Sequence, residues 1–159
     1  MPNILNDFFD LFFPEACLYC RKFLEIKGKY LCLSCLSSLP LTHFSFHKGN
    51  AMENSFKGII PIDSATALLF YEKKGMVQKL IKELKYHNKP KIGEFLGTWL
   101  GADMMNSQRF EVFDFVVPVP LHPDKEKQRG YNQVHLFAAS LAKALDAELL
   151  KDLLLKTKN

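Results

Sequence analysis

Apolar positions along the chain switch between two periods. Met76, Val77, Leu80, Ile81 and Leu84 recur at the three-and-four spacing of one helical face, with lysines between them, which predicts a helix over Met76–Tyr86. A second helix, Ile92–Met105, is predicted after the helix-unfriendly Pro90. Val134, Phe137, Leu141 and Leu145 mark the inward face of a third, Gln133–Leu145. The pattern differs at Phe113–Val117, which is apolar throughout except for Asp114, as expected of a strand buried in a parallel sheet. Ile62–Tyr71 reads as one or two strands and Asp152–Leu155 as one more. Strand, helix and strand in succession at the end of the chain predict a parallel βαβ unit.

The first third is less regular. Ile4–Phe13 is a short helix candidate in which Phe8, Phe9, Phe12 and Phe13 need something to pack on, and Pro14 ends it. A cysteine segment, 17–35, precedes a short helix expected over Cys35–Leu39 and stopped by Pro40. His43–Gly58 is polar, aromatic and without a period, and reads as a linker. The expected organisation is therefore 1–57 (N-terminal helix, a cysteine module at about 15–40, linker) followed by an α/β domain over 58–159. No internal repeat or low-complexity tract is visible.

Hydrophobic residues make up 48% of the 159 and aromatics 13%, a composition that excludes a disordered chain. No run approaches the roughly 20 consecutive apolar residues of a membrane span. The first residues carry Asp7, Asp10 and Glu15 and no basic stretch, unlike a secretory signal. Both features point to a cytoplasmic protein, in which four cysteines are thiols or metal ligands and not structural disulfides. The net charge of +4 is unevenly placed: Tyr71–Lys91 alone holds seven Lys against two Glu.

Cys17-Leu-Tyr-Cys20 and Cys32-Leu-Ser-Cys35 are two C-x₂-C pairs with eleven residues between them, and they use every cysteine in the chain. Each pair can turn back so that both sulfurs face one point, and two such knuckles surround a zinc ion tetrahedrally. Gly28 between the pairs suits a hairpin turn. Redox CxxC motifs or inert buried thiols would use the same residues. Four Cys ligands leave no open coordination position, so Zn²⁺ here would be structural and would supply folding free energy to a module too small for its own core. His43 and His47 lie just beyond and are read as ordinary surface or packing residues.

The predicted strand Phe113–Val117 exits into Pro118-Val119-Pro120-Leu121, and a charged stretch leads to Arg129-Gly130-Tyr131-Asn132-Gln133. Ligands of parallel α/β sheets sit outside the carboxyl ends of strands. A helix starting near Asn132 would aim free N–H groups at the same place. Arg129 is a planar donor fork suited to phosphate, and Gly130 lets the backbone come close. The residues describe either an anion site or a solvated loop before a capped helix.

"LKYHNKPKIGEFLG" and "FDFVVPVPLHPDKEKQRGYNQVHLFAASLAKAL", following the four-cysteine knuckle, resemble in this order the ComF family of competence-associated proteins. The likeness covers about residues 15–157, and RGYNQ is its most specific part. It implies a fold class of α/β: a zinc module preceding a type I phosphoribosyltransferase-like parallel sheet with helices. It also implies handling of incoming single-stranded DNA during natural transformation, with competence and recombination proteins as partners. On the family pattern, the pyrophosphate of phosphoribosyl pyrophosphate, or a related anion, falls at Arg129, Gly130, Asn132 and Gln133, with Lys85 approaching from the side. Family members carry an acidic pair and a Thr/Gly-rich loop for the ribose 5-phosphate further downstream. The sequence stops at Asn159 before such a segment, so the expected sheet is incomplete, the expected stretch is inactive, and its bare edge is expected to favour a homodimer.

Lys79, Lys82 and Lys85, spaced by three, give the 76–86 helix a basic side, with Lys73, Lys74, Lys89 and Lys91 flanking and Tyr71 and Tyr86 interleaved. Such a face tracks a phosphate backbone while aromatics stack on bases, or it is simply solvated. Two readings stand beside the competence role: a non-catalytic nucleic-acid-binding module, and a zinc-dependent interaction scaffold.

Overall fold

The computed structural model of the chain describes residues 15–24, 26, 29–87 and 89–157. The helix expected over Ile4–Phe13 and the turn at Gly28 lie outside the described residues. In chain order the elements are α1 (Leu33–Ser37), a 3₁₀ turn (Phe44–Phe46), α2 (Ala51–Phe56), α3 (Met76–Tyr86), α4 (Lys91–Ser107), β1 (Phe115–Val116), α5 (Pro123–Arg129), α6 (His135–Ala144) and β2 (Glu148–Leu149). The architecture is mixed: helices, a two-stranded parallel sheet and a four-cysteine cluster. No described helix is long and apolar enough to cross a membrane.

α3 forms over the predicted span and buries Val77, Leu80 and Leu84, the stripe that its apolar spacing marks. α4 extends one residue before and two residues beyond the expected span and buries Ile92, Leu96, Leu100 and Met104 at successive fourth positions. Beside that row runs a second one, Gly93, Gly97 and Gly101, which lies against α6. A Cβ on Gly97 would stand 2.3 Å from the Phe137 carbonyl oxygen, and one on Gly101 would stand 2.4 Å from the Ala144 Cβ. Only hydrogen at these positions lets the two helices meet backbone to backbone, and this sets where α6 lies.

The cysteine knuckle shares its core with these helices. Cys17, Leu18, Leu31, Cys35 and Leu39 pack in one cluster with Val77, Leu80, Leu84, Ile92 and Leu96. A second cluster, Leu100, Met104 and Leu145, continues along α4, and Leu68 and Phe137 touch both.

Several elements differ from the sequence expectation. β1 is two residues long, and Phe115 is 54% exposed. It has one partner strand and one open side among the described residues, so it is not the doubly buried strand that its apolar run suggested. The partner is Glu148–Leu149, in parallel register Phe115↔Glu148 and Val116↔Leu149, and not Asp152–Leu155. Leu153, Leu154 and Leu155 are exposed. The ladder begins directly after α6, where Glu148 N–H donates to Asp114 O at 2.9 Å and Leu150 N–H to Val116 O at 3.0 Å.

Ile62–Tyr71 forms no strand beyond a single antiparallel bridge, Leu41↔Leu69. Carbonyls of this segment bond to side chains instead: Asn50 Nδ2 donates to Ala65 O at 2.8 Å and the Thr42 hydroxyl donates to Ala67 O. His43–Gly58 is not a patternless linker. Asn50 caps α2 by accepting from Met52 N–H and Glu53 N–H at 2.9 and 3.0 Å, and Glu53 returns to accept from Gly49 N–H at 2.6 Å. The Asn-x-x-Glu spacing is the sequence signal that would have revealed it. Arg109, at the far end of α4, closes this hub by donating to Phe44 O at 2.7 Å and to Glu53 Oε1 at 2.7 Å.

Candidate functional site

Two short turns bring the four cysteines together. Cys17 N–H donates to Lys22 O at 2.8 Å, and Arg21 N–H donates back to Cys17 O at 3.0 Å with Arg21 at φ +65°. This closes the first C-x₂-C into a loop with both sulfurs on its inner side. Cys32 is the N-cap of α1 and Cys35 lies in its first turn; residues three apart on a helix share a face. The Leu18 N–H bond to Tyr30 O, 2.9 Å, ties the two turns together.

All four sulfurs lie within 4.8 Å of one another, and Cys20 and Cys32 are 3.6 Å apart. Tetrahedral zinc thiolates with Zn–S bonds of about 2.3 Å put their sulfurs about 3.8 Å apart. The donor set and spacing fit a four-coordinate metal ion. Its electrostatics fit as well. Burial raises the Cys17 thiol, but backbone hydrogen bonds from Cys32, Cys20 and Tyr19 outweigh it and bring the group down to about 6. Burial and then the three neighbouring sulfurs push Cys35 up to about 12. Four thiolates cannot crowd into this volume unaided, and a cation at their centre is what allows all four to ionise.

The 118–133 segment is more ordered than a loop. α5 starts at Pro123 with His122 Nδ1 accepting from Asp124 N–H at 3.3 Å, and it ends at Gly130, φ +79°, the left-handed position that favours glycine. The His-Pro-Asp start and Arg-Gly stop are signals of this helix that the apolar pattern does not contain. α6 begins at His135, not Gln133. Asn132 is buried, accepts from Val134 N–H at 3.2 Å and donates to Val119 O at 3.3 Å. Gln133 is also buried; it donates to Tyr131 O at 2.6 Å and accepts from Arg129 Nη1 at 2.6 Å. The Arg129 guanidinium lies over the Tyr86 ring at 5.3 Å. Tyr131 O–H donates to Leu84 O and pins the segment to α3. The structure thus brings Arg129, Gln133 and Tyr86 together. Lys85 is half-buried on α3. Arg129 Nε is buried and has no hydrogen-bond partner among the described residues.

The basic-face lysines do not act alike. Lys79 Nζ donates to Tyr19 O at 3.3 Å and lies 5.8 Å from the Tyr19 ring centroid, so it docks on the cysteine knuckle. Lys89 pairs with the largely buried Glu83 at 3.0 Å, beside His87. Burial raises the Glu83 carboxyl, but the His87 and Lys89 contacts win and hold it below its ordinary value. Lys82 is exposed, with Lys73 and Lys74 exposed nearby.

A mixed α/β chain with a four-cysteine cluster packed into its core is the class of protein that fold and site define. The chain is similar to Competence protein F of Haemophilus influenzae, with 25% identity over 158 residues, covering 93% of this chain and 68% of the relative. This relative and the sulfur cluster bear out the resemblance to the ComF family. No family model matches the chain and no solved structure matches it.

Proposed function

We propose that the protein is a competence-related protein of the ComF type, with a structural zinc knuckle on a phosphoribosyltransferase-like α/β fold, acting in uptake or processing of single-stranded DNA. The observation that carries this is the likeness to Competence protein F across nearly the whole chain. The four-sulfur cluster supports the zinc assignment. When bound, the metal supplies cross-linking of two turns and charge balance; the chemistry of any reaction would lie elsewhere.

The anion-binding role rests on Arg129, Gly130, Asn132 and Gln133, with Lys85 at the side. In its support, the buried Arg129 Nε has an unmet donor, and an incoming phosphate oxygen would satisfy it. The anion would compete with Gln133 Oε1 for the same guanidinium. Asn132 and Gln133 then serve as positioning residues, holding the loop through their own buried hydrogen bonds. The test is binding of labelled phosphoribosyl pyrophosphate, compared with Arg129→Gln. Binding that is unaltered by the substitution would remove Arg129 from the site.

A non-catalytic nucleic-acid-binding reading is favoured by the exposure of Lys73, Lys74, Lys82, Tyr71 and Tyr86 on one stretch. Phosphate contacts respond to salt and stacking contacts far less. Binding of single-stranded DNA that weakens with salt and ignores phosphoribosyl pyrophosphate would support this reading over the first. Competence and recombination proteins are the proposed partners of either form.

A further inference from the structure

Between the cysteine knuckle and α4 lies a groove of about 810 Å³. Its α4 wall is one helical face: Lys91, Glu94, Phe95, Thr98, Trp99 and Ala102 recur at three-and-four spacing. On the knuckle side Phe23 and Leu33 line it, 72% and 70% exposed. A further hollow of about 510 Å³ shares Leu33, Leu36 and Trp99 with it and carries the groove on to Leu41. Large apolar side chains gathered in one concavity mark a docking surface. The charged side chains of the groove are Lys22, Lys29 and Lys91 against one acid, Glu94. The three lysines are exposed, and none forms an ion pair among the described residues. A fitting occupant is therefore apolar on one side and acidic beside it.

Charge and shape separate the candidate occupants. A second copy matches poorly: its longest exposed apolar run among the described residues, Leu153–Leu155, lies between Lys151-Asp152 and Lys156. A nucleic-acid strand matches the lysines but not the walls. Bases stack on open ring faces, whereas Phe95 meets Trp99 edge-on at 5.8 Å and Tyr30 at 6.5 Å. Leucines 33, 36 and 41 supply aliphatic surface, which suits apolar side chains. From Lys91 to Ala102 the wall runs roughly 16 Å, the length of three helical turns. Helices bind such grooves through apolar residues at i, i+3, i+4 and i+7. We propose that the groove receives an amphipathic helix of about three turns from a partner protein. Leucine or phenylalanine fills the apolar bed, and Asp or Glu lies beside Lys22, Lys29 and Lys91. The surface contains no residue of the 118–133 segment, so the inference holds whichever reading of that segment stands.

Trp99 lines the groove and is the single tryptophan of the chain, so its fluorescence reports docking. The probe is a synthetic helix of about three turns with Leu and Phe at i, i+3, i+4 and i+7 and Glu elsewhere. Added to the full chain, it is expected to move Trp99 emission to shorter wavelength and lower acrylamide quenching. It should bind several-fold tighter than its scrambled form, and several-fold tighter than the same helix with Lys in place of Glu. Lys22→Glu/Lys91→Glu, two exposed changes, should invert that preference and make the Lys helix the tighter binder. Leu33→Asp should weaken the acidic helix several-fold, with circular dichroism confirming the fold. Lys143→Glu, an exposed change on α6, should leave binding unaltered. An oligothymidylate is titrated alongside. The proposal is overturned if the acidic helix leaves Trp99 unmoved, or if its preference over the Lys helix survives Lys22→Glu/Lys91→Glu. It is overturned equally if oligothymidylate displaces the acidic helix and moves Trp99 with the same dependence on Lys22 and Lys91, because the groove would then take a nucleic-acid strand.

Discussion

The cysteine knuckle and the 118–133 segment are built in opposite ways. In the knuckle, four sulfurs converge within 4.8 Å and have one another as neighbours, an arrangement that suits a metal ion. In the 118–133 segment the polar side chains meet their needs internally: Asn132 accepts from Val134 N–H and donates to Val119 O, Gln133 bonds Arg129 and Tyr131, and Tyr131 reaches Leu84. One region gathers donors that a metal ion would satisfy, whereas the other satisfies itself and offers a ligand little more than Arg129 Nε. Ligand removal should therefore unfold the first and leave the second standing.

The largest effect should come from the metal. Cys17 is fully buried and Cys35 nearly so, in the same core as Leu80 and Ile92. Cys17→Ser/Cys35→Ser, or a strong chelator, should forfeit metal-binding free energy of about 10 kcal/mol and loosen α3 and α4 with the knuckle. Metal analysis and thermal melts check this. Stoichiometric zinc in the double variant would break the comparison at its first term.

Gly97→Ala comes next. Helix propensity favours alanine by about 1 kcal/mol, but the added Cβ meets the Phe137 carbonyl oxygen at 2.3 Å. Overpacking of this kind costs about 3 kcal/mol, so the net change should be a clear loss of melting temperature. The strain falls on α6 and the segment leading into it, and the zinc content should stay at one per chain.

Asn132→Ala tests whether that segment is self-satisfied. It should destabilise the protein without any ligand by about 1–2 kcal/mol, the cost of leaving the Val134 N–H and Val119 O partners of the buried Asn132 unpaired. A neutral result in melts, combined with lost anion binding, would instead make Asn132 a ligand residue.

Acid should sharpen the contrast less. Burial raises Glu53, but Arg109 and the Gly49 and Ala65 N–H groups hold it below its ordinary 4.5, and Glu83 is likewise held below 4.5. A carboxyl held low when folded stabilises fully above about pH 4.5, and that contribution drains away as the pH falls through the folded values. Glu53→Gln should lower the melting temperature at neutral pH and flatten its decline below pH 4.5.

The smallest stability effect belongs to Lys82→Glu, an exposed change expected to stay within about 0.5 kcal/mol. If the face contacts DNA, the salt slope of single-stranded binding should fall by about 1. Lys79→Glu, by contrast, should also disturb the knuckle through Tyr19.

Residue spacing alone determined α3, α4 and the cysteine cluster. In each case the information is local: a three-and-four apolar row, or two C-x₂-C pairs whose turns close within five residues. The capping box at Asn50 and the Pro123–Gly130 helix are equally local and were legible in principle, but they are written in caps and stops, not in apolar period. Only the tertiary structure decided the rest. Phe115 lies half in solvent because β1 has one partner strand among the described residues. β2 falls at Glu148 because the ladder begins where α6 ends. Asn132 and Gln133 point inward, and Lys79 turns from the basic face to Tyr19. The partners of Asn132, Glu148 and Lys79, namely Val119, Asp114 and Tyr19, come from other turns of the chain. A residue type states which bonds a side chain can make. Which of them it makes depends on what packing brings alongside, and along α4 that is set by three missing side chains at Gly93, Gly97 and Gly101.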